Sequence, residues 1–302
     1  MRFSSDNDLW PHFLPLWKQL NQVGPNFLIA GGYGLFLKQR WLLAESAQIL
    51  VPMERWHNPE PRATKDLDVI VELDIIASPE HQQQIQKILE DQEYQVVPGN
   101  ERWQFEKRIT PGRSVILDFH SPKPGPEHFN LRADGRRVKP KPSLKQTGIH
   151  GHENLEAVGC EFHPLTFAND NVQITVPNPV TGVIMKMVAM RDRLQKSRDP
   201  KQTEDSRRNE EGEARKHAGD VYRMLAMMTR DESDQVNEIL GAIRTTEAYK
   251  DTCSIYSELF VAIDSWGPQS VVGQWAPEDL AQMHAILSSW FAPALNEVTH
   301  QQ

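Results

Sequence analysis

The chain reads as an α+β protein, with a mixed sheet flanked by helices over residues 1–177 and a helical bundle over 178–302. Three observations predict this. Short apolar runs bounded by glycine, proline or charge recur in the first part, as at 27–30, 67–71 and 114–120, and such runs form buried strands. After Val176 the strand signals stop and the apolar residues repeat at helical spacing. Asn178-Pro179 marks that change as a helix start, with Asn as N-cap and Pro in the first turn.

Taken in order, Leu9, Trp10, Phe13, Leu14, Leu16, Trp17 and Leu20 lie at helical spacing, and Gly24-Pro25 stops the pattern. Phe27–Ala30 is a short buried strand that runs into Gly31-Gly32-Tyr33-Gly34 and a helix. A strand, a tight glycine turn and a helix start expose backbone N–H groups and a helix dipole to an anion. Residues 38–62 are a helix plus a loop; helix signals return at Pro79–Asp91, and strands are expected at Tyr94–Val97 and 101–109. Val172–Val176 alternates as a half-buried strand. In the second part the first helix carries Val183–Leu194, residues 195–216 are charged with mixed sign and read as a mobile loop, and a helix resumes at His217. Further helices are expected near 231–244, 247–265 and 277–291.

The chemistry-bearing residues cluster on the strand Asp66-Leu67-Asp68-Val69-Ile70-Val71. Side chains two apart on a strand share a face, so Asp66 and Asp68 project together. Two carboxylates so placed repel one another and lose hydration, a cost that a cation between them removes. Hard oxygen donors at this spacing suit Mg²⁺, with substrate phosphates completing its shell. Asp118 closes the apolar run Ser114–His120 and is the natural third carboxylate. Residues 121–145 are proline- and glycine-rich and carry Arg132, Arg136, Arg137, Lys139, Lys141 and Lys145 against two acids, a local excess fit either for a solvated loop or for tracking phosphates. His150, His152, Cys160 and His163 match no common zinc spacing. Lys186 sits among apolar residues, with Arg193 on its side of the helix and Arg191 nearby, either a snorkelling lysine or a cation aimed at phosphate.

At 302 residues the chain can bury a substantial core, and its net charge of −8 argues against a uniformly basic coat while permitting a local basic groove. Two cysteines imply no disulfide framework. The first residues lack the apolar core of a signal peptide, and no run approaches bilayer length, so a cytoplasmic protein with no membrane partner is expected.

The order of Gly31-Gly32, the Asp66-Leu67-Asp68 strand, Lys186 with Arg191 and Arg193, and Asp220-Val221-Tyr222-Arg223 resembles that of the AbiEii/AbiGii-type (MenA-like) nucleotidyltransferase toxins, within the DNA polymerase β nucleotidyltransferase superfamily. The resemblance spans residues 27–225. It implies a nucleotidyltransferase fold and Mg²⁺-dependent transfer from an NTP to a hydroxyl, as at the 3′ end of tRNA, by the toxin of a toxin–antitoxin or phage-defence system with a cognate antitoxin. It further implies Asp66, Asp68 and Asp118 as metal ligands, and Gly31, Gly32, Thr64, Lys65, Lys186, Arg191 and Arg193 as nucleotide contacts. Asp220 would be a functional acid, with either Asp118 or Asp220 as the third carboxylate of the chemistry. Two departures stand out: Gly31-Gly32 and the acid strand are unusually far apart, and Lys216-His217 stands where Arg-Asp is usual. Alternatives from other classes are a small-molecule nucleotidyltransferase of the antibiotic-modifying kind, and a catalytically inactive binding partner in a defence complex.

Overall fold

A computed structural model describes residues 9–24, 27–60, 64, 66–100, 102–134, 137–142, 148–169 and 171–292. The chain divides into two compact units: residues up to Ser46 with Pro61–Asn178, and Ala47–Glu60 with the chain from Pro179 onward. Strands and sheet belong to the first, and the second is helical. No described helix is long and apolar enough to cross a membrane.

The first unit runs α1 (Trp10–Val23), β1 (Phe27–Ile29), α2 (Gly31–Glu45), β2 (Asp66–Val71), α3 (Leu73–Ala77), α4 (Pro79–Asp91), β3 (Gln95–Val96), β4 (Gln104–Thr110), β5 (Arg113–Ser121), β6 (Leu131–Asp134), β7 (Arg137–Pro140), β8 (Gly151–Glu153), β9 (Leu165–Asn169) and β10 (Val172–Val176). The main sheet is mixed, in the order β1-β2-β5-β8-β7-β6, with β4 also on β5 and β3 on β4. β2 and β5 are parallel neighbours, as are β5 and β8, whereas β1–β2, β4–β5, β6–β7 and β7–β8 are antiparallel.

Strand alternation decides which face carries chemistry. Leu67, Val69 and Val71 of β2 and Val115, Leu117 and Phe119 of β5 are buried in one core with Phe13, Trp17 and Leu20 of α1 and Phe27 and Ile29 of β1. The intervening residues therefore face the other side. The core is braced by aromatic contacts from Phe13 to Trp17 at 5.1 Å and to Tyr33 at 5.0 Å, and the Trp17 indole N–H donates to the Gln173 carbonyl at 2.8 Å. Leu131–Asp134 and Arg137–Pro140, within a stretch read from the sequence as proline- and glycine-rich, pair antiparallel as β6 and β7. The alternation of Leu131, Val138 and Pro140 buries one side of this hairpin. β9 and β10 form a second hairpin that turns at Asn171, whose φ of 62° is the left-handed conformation asparagine tolerates.

The second unit comprises α5 (Pro179–Ser197), α6 (Glu204–Ala226), α7 (Arg230–Ile243), α8 (Glu247–Leu259), α9 (Trp266–Gln269) and α10 (Pro277–Phe291). The mobile loop expected over 195–216 is instead the end of α5 and the first half of α6. Thr203 caps α6 through its hydroxyl, which accepts from the Ser206 N–H at 3.2 Å. Glu204 with Arg208 and Glu211 with Arg215 then pair one turn apart along its exposed face. Thr229 caps α7 in a capping box with Glu232.

The stretch 47–60 is a strap on this unit. Leu50 N–H donates to the Met228 carbonyl and Val51 N–H to that of Ala226, at 3.0 and 3.1 Å. Trp56 meets Trp275 edge-on at 5.0 Å, and the Arg223 guanidinium lies over the Trp56 ring while donating to the carbonyls of Asn58 and Glu60. Arg55 pairs with the buried Asp279 at 2.8 Å.

Candidate metal centre

β2 and β5 build the site because their parallel register sets Asp68 beside Asp118. His120, two residues further along β5, is on the same face. Its Nε2 lies 3.2 Å from Asp68 Oδ1. Asp68, Asp118 and His120 each bring a ligand atom within 4.8 Å of the other two, and all three are half-buried. They could hold a metal ion.

The electrostatics agree. Burial pushes the Asp118 carboxyl up to about 6, and the neighbouring Asp68 and Asp66 charges push the same way, against a Gln104 hydrogen bond and the His120 charge. For His120, burial disfavours the cation, but the Asp68 hydrogen bond and the charges of Asp68 and Asp118 outweigh it and raise its pKa. Asp118 Oδ1 and His120 Nδ1 are buried without a hydrogen-bond partner among the described residues. An orphaned acceptor such as Asp118 Oδ1 costs free energy, which a coordinated ion would offset.

The glycine turn covers this group. Gly31 opens α2 at a φ of +62°, and a Cβ there would collide with the Asp68 carboxylate, reaching 2.7 Å from its Cγ. Three residues on, a Cβ at Gly34 would strike the Ile29 carbonyl, so the helix is seated directly on β1. The Ala30 N–H donates to the Asp68 carbonyl at 2.8 Å, locking the turn to the acid strand. Ala30 caps α2 without a side-chain hydrogen bond, so the first-turn N–H groups at Gly31 and Gly32 present the positive end of the helix dipole.

Of the residues singled out from the sequence, Asp68 and Asp118 therefore come together, and Asp66 stands at the entry of β2 with an exposed side chain on the same face. The group includes His120, which sequence reasoning left in its strand without a role. Its signal was present as an Asp-x-His spacing on an apolar strand. The Thr64 hydroxyl accepts from the Asp66 N–H at 3.4 Å, while Lys65 lies outside the described residues. In the second unit Lys186 and Asp220 form an ion pair of 2.9 Å, with both side chains more than nine-tenths buried. Arg191 reaches both carboxylate oxygens of Asp251 at 2.6 Å, and Arg193 reaches Glu210 at 3.0 Å.

Two carboxylates fit Mg²⁺, whereas an imidazole nitrogen is a softer donor than that ion prefers. Beside the group, His152 pairs in register with His120, and its ring lies 5.9 Å from that of His120 and 4.6 Å from that of Trp103. Arg137 pairs in turn with His152 on the next strand.

No protein-family model and no curated protein matches the chain. Among solved structures, it is similar to an antigenic nucleotidyltransferase-like protein from Paracoccidioides brasiliensis, at 14% identity over 96% of this chain and 94% of that one, with a TM-score of 0.37. At that identity and TM-score the likeness lends no weight to a functional reading.

Proposed function

We propose that the chain is a metal-dependent nucleotidyltransferase that moves a nucleotide from an NTP to an acceptor hydroxyl. The observation that carries this is the Asp68–Asp118–His120 group lying directly beneath the Gly31 turn. A divalent ion bound there would neutralise triphosphate charge and make the α-phosphorus more electrophilic. Asp68 and Asp118 would hold the ion with His120, and Asp66 would complete the acid pair from the strand entry. Backbone N–H groups of Gly31 and Gly32 cradle a phosphate at the start of α2. The acceptor oxygen bonds to the α-phosphorus, the bond to the bridging oxygen breaks, and pyrophosphate leaves. The hydroxyl proton goes to the Asp118 carboxylate, which the strand register sets beside Asp68. We assign the third acid to Asp118 rather than Asp220, because the strand register sets Asp118 against Asp68 whereas Asp220 is paired with Lys186. In the second unit the Asp220 carboxylate holds the Lys186 ammonium in its ion pair.

A nucleic-acid acceptor, such as the 3′ end of a tRNA, is supported by the row that continues across the sheet. His120, His152 and Arg137 are in register on β5, β8 and β7. Arg137 thus stands two strands, about 10 Å, from the metal group on its own face of the sheet. Arg102 and Lys139 add charge nearby, while Trp103 offers an aromatic face beside His152.

The test is incubation of the protein with a divalent ion, each labelled NTP in turn, and total tRNA. Label entering RNA, reduced by on the order of 100-fold or more in Asp68→Ala and Asp118→Ala, is expected. Undiminished transfer by either variant would overturn the mechanism. Label moving only to small hydroxylated acceptors would replace RNA with a small-molecule substrate.

A further inference from the structure

We infer that this centre selects a divalent first-row transition ion over Mg²⁺, a preference that Mn²⁺, the hardest and weakest-binding of that series, reports as a probe, with His120 Nε2 as a direct ligand and the residue that sets the preference. The inference rests on the proposed function only for the purpose of the ion, and not for its binding. Three observations lead to it. The donor set is two carboxylates and one imidazole. Carboxylate and water suit Mg²⁺, whereas an imidazole in the first coordination sphere shifts preference along the series toward later divalent ions. The spacing is right: cis ligands at about 2.1 Å from an octahedral ion are about 3 Å apart, and His120 Nε2 lies 3.2 Å from Asp68 Oδ1. Finally, Asp118 Oδ1 is buried beside them with no hydrogen-bond partner among the described residues, an acceptor that an ion would satisfy.

The second imidazole nearby belongs to a different role. His152 contacts His120 ring to edge, with 5.9 Å between centroids and 73° between planes, and it packs on Trp103. It holds the His120 ring in place, so it is a positioning residue. A metal-ligating histidine depends on such neighbours for its orientation.

The experiment is Mn²⁺ titration of the metal-stripped full-length protein, without nucleotide, followed by electron paramagnetic resonance with Mg²⁺ as competitor. One bound Mn²⁺ carrying the hyperfine signature of a directly coordinated nitrogen is expected. At least a tenfold excess of Mg²⁺ should be needed to displace half of it. In His120→Gln the nitrogen signature should vanish and the discrimination against Mg²⁺ should fall several-fold, while His152→Gln retains the signature. A wild-type spectrum with oxygen ligands alone overturns the inference, whether or not the variants fold, and so does a signature that survives in His120→Gln. Displacement of half the Mn²⁺ by equimolar Mg²⁺ also overturns it. A protein that shows the nitrogen signature yet transfers no nucleotide would instead refute the proposed function and leave the metal assignment standing.

Discussion

The Asp68 carboxylate occupies the space that a side chain on Gly31 would need. The turn and the acid strand are therefore one construction, although 37 positions separate the two residues in the chain. Gly31→Ala must both strain a left-handed backbone and push Asp68 aside. A loss of about 1–3 kcal/mol in stability is expected from the strain, together with loss of the thermal stabilisation by divalent ions that the proposed metal site predicts for the wild type. Gly99→Ala is the control, since Gly99 also has a positive φ but meets nothing within 4 Å. Metal stabilisation retained equally by both variants in a melting assay would contradict the close packing of turn and acid.

Lys186 and Asp220 are a buried ion pair, and removing either charge leaves the other without its principal counter-charge. Lys186→Met or Asp220→Leu alone should cost about 3–5 kcal/mol in urea unfolding, and the double variant well below the sum of the two. A coupling of less than about 0.5 kcal/mol would show that the charges do not depend on each other. Activity lost in the single variants should accordingly be compared at equal folded fraction.

His150 gives the fold a pH dependence of known sign. Burial pushes its imidazole down to about 3, helped by the positive charges of Arg102, Arg137, Lys139 and Arg132. An unfolded histidine titrates near 6.5. Between those values the unfolded chain binds the extra proton, so the contribution of His150 to stability rises with pH up to about 6.5 and is flat above it. Between pH 5 and 7 the wild type should gain roughly 1–2 kcal/mol more than His150→Gln in equilibrium denaturation. Parallel profiles for the two proteins would remove His150 as the cause.

Much of the fold was legible because its signals are local. Gly31-Gly32 and Asp66-Leu67-Asp68 each announce themselves within a few residues, and the Asn178-Pro179 junction is punctuation of the same kind. His120 was passed over although its Asp-x-His spacing sets it on the face of Asp118; that this face meets Asp68 depends on the parallel register of two strands separated by 41 residues, from Val71 to Arg113. Register between parallel strands leaves no mark at either strand alone. The first half of α6 was misread for the opposite reason. Its mixed charges look like a solvated loop, yet Glu204–Arg208 and Glu211–Arg215 are spaced one helical turn apart behind a Thr203 cap. Periodicity of charge there mattered more than its abundance.

The strap over residues 47–60 also bears on how the chain is made. It is synthesised before every helix it lies against, since Ala226, Met228, Trp275 and Asp279 follow it by well over 150 positions. On the ribosome the sheet can form while Trp56 and Met53, buried in the finished protein, still wait for their partners. For that interval the nascent chain exposes an apolar segment between its glycine turn and its acid strand. Emergence of the chain around Ala226–Met228 and then Trp275 is thus what shelters it.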